Sequence, residues 1–222
     1  MPTPTELTEI AVRHGRDKKR KNAIAALLCG VIPAVLLNFY SGSAVRSKVG
    51  LFGFVAGLIV GLIVGLIVGL IWGDAFEYVY HRWLLHRARN PLGTEHHKHH
   101  AQIGTPEQAE HVTLISSPLN IVLLFVLNGV PAFLVASRTG LWGTLSGVFM
   151  GWTVYLIVTE EIHWRIHMNG WLPPGLRFAR AYHMSHHDVP NSRYNVFLPI
   201  FDLLLGSAGR GRSKAPIQPA GD

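Results

Sequence analysis

The sequence predicts an all-α integral membrane protein, with four transmembrane helices in two hairpins and a cytosolic, histidine-rich helical cap. Three observations predict it. Four apolar runs approach or exceed the roughly 20 residues that a bilayer-spanning helix needs. Only 15% of the 222 residues are charged and 49% are hydrophobic, against about a quarter charged in soluble domains, so much of the surface faces lipid. Most of the 13 histidines fall in short clusters placed after the second and fourth runs.

Residues 1–22 form a basic segment ending in Arg16, Lys18, Lys19, Arg20 and Lys21. The first span follows at about 23–40. It is long for a secretory signal, and no small-x-small cleavage site precedes a soluble domain. A polar turn, Ser41 to Gly50, leads to a second span at about 51–72, which is expected to continue as a helix into water through Asp74, Glu77, His81 and His86. A third span covers about 119–136, where Pro131 removes a helical hydrogen bond and should kink it. The turn Ser137 to Gly140 leads to the fourth span, about 141–159. Residues 23–206 thus make one membrane domain, and 207–222, rich in Gly, Ser, Pro and Arg, read as a disordered tail.

With four spans, both termini and the middle segment share one side. That side carries 17 of the 20 Lys and Arg residues, and the other holds only Arg46, Lys48 and Arg138. The positive-inside rule therefore places both termini and the histidine clusters in the cytosol. The formal charge of +7 suits an anionic membrane surface, and no nucleic-acid motif accompanies it. Gly57, Gly61, Gly65 and Gly69 recur in the repeat GLIVGLIVGLIVGL. Such a stripe permits close helix approach, first against a neighbouring helix of the same chain and alternatively in a homodimer.

Cys29 is the only cysteine, so disulfides within the chain and CxxC metal sites are excluded. A metal would be held by histidine or carboxylate. Four boxes qualify: HxxxxH with His81 and His86, HxxHH with His96, His99 and His100, HxxxH with His163 and His167, and HxxHH with His183, His186 and His187. A helix turns about 100° per residue, so positions i, i+3 and i+4 share a face. HxxxH and HxxHH each offer a convergent set, whereas the two ends of HxxxxH differ by about 140° and would address different parts of a site. Ten imidazoles exceed one ion's needs and suit two ions with four or five nitrogens each. Neutral imidazole serves zinc, iron, copper and nickel alike. His14, His97 and His111 read as ordinary polar residues. Ligating histidines usually donate their other ring nitrogen to a carboxylate or carbonyl. Asp74, Glu77, Glu160, Glu161 and Asp188 are candidates, with Glu77 and Glu160 favoured because they precede His81 and His163 by about one turn.

These four boxes, in this order on paired membrane segments, resemble the fatty acid hydroxylase superfamily, whose members include fatty acid 2-hydroxylases, sterol desaturases, methyl-sterol oxidases and carotenoid hydroxylases. The segment from Glu77 through His81 to His86 looks like the first motif of the fatty acid 2-hydroxylase branch. So does Tyr182-His183-Met184-Ser185-His186-His187, followed by Asn195 and the run from Phe201-Asp202 to Gly206-Ser207. The resemblance covers about 50–207. It implies two metal ions, iron in the family with zinc as the alternative in a purified sample, and hydroxylation of a lipid C–H bond with O2 and external electrons. The expected substrate is a fatty acyl chain oxidised near its carboxyl end, with a carotenoid or sterol hydroxylase or desaturase as the alternative. Electrons would come from a separate cytochrome b5-like or ferredoxin-like donor, since the chain has no room for a cytochrome b5 domain. Trp83, Trp164, Trp171 and Tyr182 are candidates to line a lipid entrance or to anchor at the interface. A non-catalytic metal transporter would instead place its ligands inside the spans, and a zinc hydrolase would need an open water site and a nearby base.

Overall fold

The computed structural model describes residues 2–209, with side chains described at 2–39 and 59–209. Seven α-helices occur in this stretch: α1 Pro4–Val79, α2 Pro91–Ala101, α3 Gln108–His111, α4 Pro118–Thr139, α5 Trp142–His167, α6 Phe178–Asp188 and α7 Ile200–Leu204. A π-helical turn, Tyr80–Leu85, continues α1, and a single 3-10 turn, Pro174–Leu176, precedes α6. Four segments are long and apolar enough to cross a membrane: Pro4–Phe39, Ile59–Leu85, Pro118–Thr139 and Trp142–His167. Residues 41–50, expected as a turn, fall within the helical span of α1, and the side chains of 40–58, Gly57 among them, lie outside the described ones.

Helix α5 is the axis of the molecule. On the first arm of α1, Gly30 abuts Thr153, and the hydroxyls of Thr153 and Ser146 donate to the carbonyls of Ala26 (3.4 Å) and Ala34 (3.1 Å). On the second arm, Gly65, Gly69 and Gly73 abut Thr144, Val148 and Tyr155. The first arm thus meets α5 in descending order and the second in ascending order, so they lie on one helix with opposite chain sense. Small residues make both approaches possible. Lipid tails are as apolar as leucine, so membrane helices associate through close packing and not through apolar burial. Large apolar side chains such as Leu36, Ile63, Leu127 and Val135 accordingly face outward.

The glycine stripe packs within the chain, the first of its two expected roles: Gly65 and Gly69 are buried and fit against Gly147 and Gly151 of α5. The segment 1–22 is helical from Pro4, started by a capping box in which Thr3 and Glu6 satisfy each other's backbone N–H groups. Its inner face packs Ala11 against Ala109, Val112 and Trp164. The chain is also still anchored past Gly206. Ser207 donates to Asp202 at 2.7 Å, and residues 210–222 lie outside the described part. Between α4 and α5 the expected turn narrows to Gly140, at φ 73°, and Leu141.

The glycines separate packing from backbone freedom. A Cβ on Gly65 would sit 2.0 Å from the Thr144 carbonyl oxygen, whereas one on Gly140 would meet nothing within 4 Å. Gly140→Ala should therefore cost only its left-handed backbone penalty, about 1 kcal/mol. Gly65→Ala should lower the melting temperature in detergent far more. Equal losses would contradict the clasp on α5.

Candidate metal centre

The four boxes converge. His81 and His86 close the second arm of α1, and His163 and His167 end α5. The HxxHH boxes lie on the short helices α2 and α6. Their rings form two groups: His81, His86, His96, His100 and His186 in one, and His99, His163, His167, His183 and His187 in the other.

Two local geometries produce this sorting, and both differ from the sequence expectation. The chain from Tyr80 to Leu85 winds as a π-helix, in which the His86 N–H donates to the His81 carbonyl at 3.2 Å. A wider turn with i→i+5 bonds puts residues five apart on one face. Both histidines of HxxxxH therefore enter the same group. In HxxHH, the first and last histidines differ by about 40° around the helix and the middle one lies about 60° to the other side. The i,i+4 pair of α2, His96 and His100, joins one group while His99 joins the other; on α6, His183 and His187 pair up and His186 crosses over. Each group thus takes two rings from a long helix, two from one HxxHH box and one from the other box.

Within the first group, Nε2 of His96 lies 3.0 Å from those of His81 and His86 and 3.1 Å from that of His100; His86 and His186 are 3.1 Å apart. Within the second, Nε2 of His183 lies 2.9 Å from that of His163 and 3.0 Å from those of His167 and His187. Two nitrogens each about 2.1 Å from a shared ion, at right angles, would be about 3.0 Å apart. The donor set and its spacing therefore fit a metal ion in each group.

Protonation supports that fit. Nδ1 of His81 bonds the Tyr194 carbonyl, and Nδ1 of His186 bonds the Ser192 carbonyl at 2.6 Å. A carbonyl only accepts, so each Nδ1 carries the proton and each Nε2 presents a lone pair inward. Burial, reinforced by neighbouring imidazoles, pushes His86, His100 and His186 down to about 3. His96, His99, His183 and His187 are lowered too, again chiefly by burial. The rings are neutral near pH 7, as ligation requires. In the second group, Nδ1 of His167, His183 and His187 and both ring nitrogens of His99 are buried without a protein hydrogen-bond partner.

The carbonyls that orient His81 and His186 flank Arg193, which adopts a left-handed conformation at φ 57°. Asp202 fixes this loop. Its carboxylate accepts the backbone N–H groups of Tyr194 (2.9 Å) and Asn195 (2.8 Å) and the hydroxyls of Ser207 (2.7 Å) and Tyr182 (3.0 Å). Asn195 in turn donates to the Asp74 carbonyl at 2.9 Å. Sequence reasoning noticed Asn195 and Asp202 only as part of a motif. The carbonyls of Ser192 and Tyr194 it missed, because a backbone acceptor leaves no mark in residue identity.

Glu77 and Glu160 do not reach the imidazoles. Glu77 accepts from the Tyr155 hydroxyl and from the Val196 N–H (2.9 Å). Glu160 accepts from the N–H groups of Leu114 (3.2 Å) and Ile115 (2.9 Å). One helical turn before a ligand is one turn deeper into the helix bundle, so these carboxylates tie the connecting segments to the membrane helices. Both also line an apolar cavity between the second arm of α1, α4 and α5, with about 610 Å³ of empty space including its open part. Its wall includes Trp72, Phe76, Phe125 and Trp152. At its rim, Trp72 donates to Asn128 across to α4 at 3.0 Å. The aromatics proposed from sequence are elsewhere: Trp83 and Trp171 are exposed, Trp164 packs under the amino-terminal arm, and Tyr182 binds Asp202. His14 and His97 are exposed, and His111 lies 3.9 Å from Glu95, so none of the three joins either group.

The family model described as Fatty acid hydroxylase matches residues 66–207, which contain every box. A solved structure described as full-length Scs7p, with only its hydroxylase domain visible, is similar to this chain at 21% identity and a TM-score of 0.50. The match covers 82% of this chain and 66% of that one, and shows a shared fold. No curated protein matches.

Two outcomes follow from this geometry. Asp202→Ala leaves the Tyr194 and Asn195 N–H groups buried without acceptors, which should destabilise the protein by at least about 2 kcal/mol, measured by thermal unfolding in detergent. Full stability would contradict the loop-clamping role. Second, His86, His100 and His186 titrate near 3 in the fold and near 6.5 when unfolded. The unfolded chain binds protons first on acidification, so the metal-free fold should keep its stability above about pH 6.5 and lose it progressively down to about pH 3. A melting temperature that does not fall across that window would contradict the neutral, buried cluster.

Proposed function

The chain belongs to the fatty acid hydroxylase family, and on that premise we propose that it uses iron, O2 and two external electrons to hydroxylate a fatty acyl chain near its carboxyl end. The observation that carries this reading is the position of the apolar cavity. Its inner wall includes Glu77, Tyr80, Thr159 and Glu160, within four residues of His81 and His163. An acyl chain entering past Trp72 would thus run between membrane helices and bring a methylene up to the imidazole groups.

The balance is one C–H bond and O2, with two electrons and two protons, giving one C–OH bond and water. His81, His86, His96, His100 and His186 would hold one ion, and His99, His163, His167, His183 and His187 the other. Iron so bound supplies the reduction of O2 and the attack on an unactivated C–H bond. The protein's own part is positional. The Ser192 and Tyr194 carbonyls fix two rings, Phe76, Phe125 and Trp152 exclude water from the chain, and Glu77 and Glu160 hold the cytosolic segments over the cavity. The excess of Lys and Arg around the histidine clusters supports a cytosolic metal site and cytosolic termini, where a separate cytochrome b5-like or ferredoxin-like donor would reach it.

Expression with iron, followed by mass spectrometry of host lipids, tests this. Acyl chains should gain one oxygen adjacent to the carboxyl carbon, and the product should vanish without O2 and in His186→Ala. Oxygenated carotenoids or sterols with unmodified acyl chains would overturn the substrate, and product formed without O2 would overturn the chemistry.

A further inference from the structure

Behind Tyr80 the apolar cavity adjoins a second, polar chamber. Lys18, Tyr80, Glu95, His96, Thr113 and Leu114 contribute to its lining. Tyr80 and Leu114 line both chambers. His96 belongs to the first imidazole group, so the polar chamber touches the metal centre directly.

The chamber is rich in donors that have nothing to bind. The Tyr80 and Thr113 side chains are only 3% and 8% exposed, and neither hydroxyl has a hydrogen-bond partner. Lys18 is half-buried and, among the described residues, makes no ion pair. Three carboxylates, Glu95, Glu110 and Glu160, act on it at longer range, opposed by Lys98. Two of them are engaged elsewhere. Glu95 is held by Lys98 at 2.6 Å and faces His111 at 3.9 Å, and Glu160 takes the N–H groups of Leu114 and Ile115. The arm carrying Lys18 is fixed on both sides, by the Lys19–Glu161 pair at 2.5 Å and by Asn22 donating to the Ile115 carbonyl at 2.7 Å.

We propose that this chamber binds the carboxylate of an unesterified fatty acid, with Lys18 supplying the charge and the Tyr80 and Thr113 hydroxyls donating hydrogen bonds. The inference rests on the acyl-chain reading above and deepens it. A half-buried ammonium is stabilised by an anion at contact distance, and a neutral ester or amide supplies none, leaving only the longer-range carboxylates. A carboxylate held here, with its tail in the apolar cavity, passes its first methylenes by His96 and Tyr80, which favours oxidation close to the head. Lys18 lies outside the stretch matched by the family, 66–207, so this preference belongs to the chain's own amino-terminal arm.

The test is competition binding on the metal-loaded protein in neutral nanodiscs, with palmitate and methyl palmitate displacing a fluorescent acyl probe. The wild type should bind palmitate about tenfold or more tightly than the ester, a gap of about 1.4 kcal/mol. Lys18→Gln should abolish the preference while leaving ester binding unchanged, which also reports that the variant is folded. Lys18→Arg should retain it, and so should Lys21→Gln, whose side chain is exposed and paired with Asp17. If Lys18→Gln does not fold, Thr113→Val decides, and it should reduce the preference. Equal affinity for acid and ester in the wild type, or an undiminished preference in Lys18→Gln, would overturn the chamber's assignment alone. Displacement by neither ligand would overturn the acyl-chain reading with it.

Discussion

Ten imidazoles brought together in two shells, with nitrogens about 3 Å apart and largely cut off from water, are the constraint on which this structure depends. Neutral rings with inward lone pairs repel one another, and burial prevents protonation from relieving that repulsion. A cation at each centre converts the repulsion into ligation. The remaining architecture reads as the means of holding the rings in place before the ion arrives.

Helix α5 and the second arm of α1 each deliver two rings from rigid elements, and their register is set by glycines that allow backbone contact at Gly65–Gly147 and Gly69–Gly151. A slip of one turn along this seam would shift His81 and His86 relative to His163 and His167 as surely as a mutation would. The loop after α6 is held by the packing of Val196 and Phe197 and by hydrogen bonds to Asp202. The two imidazole groups consequently differ. The first has two rings oriented by backbone carbonyls, whereas in the second Nδ1 of His167, His183 and His187 have no protein partner. Such outer partners raise ligand basicity and fix tautomers, so the two positions are inequivalent in what they offer an ion.

All ten ligand candidates were legible in the sequence, because a histidine box is a side-chain pattern and helical spacing gives it meaning. Four apolar runs were legible for a similar reason. What the sequence hid was geometry that depends on backbone winding and on distant partners. Nothing in Tyr80–Leu85 announces a π-turn, yet that turn decides that His81 and His86 act together. The middle histidines His99 and His186 were placed with their box-mates, although the 100° step already separates them. Glu77 and Glu160 looked like partners for imidazole by proximity in sequence, but the depth of one helical turn sends them to backbone N–H groups. The amino-terminal arm read as polar because its charges dominate composition, while Ala11, Gly15 and Lys18 supply an inner face only once α3 and Trp164 are in place.

Each five-histidine group should hold one ion. The most direct measurement is the iron content per chain of protein purified anaerobically from iron-supplemented cells, by inductively coupled plasma mass spectrometry against quantitative amino-acid analysis. Two imidazole groups predict two iron atoms per chain. A single atom per chain, or none under conditions where the protein is folded, would contradict the account.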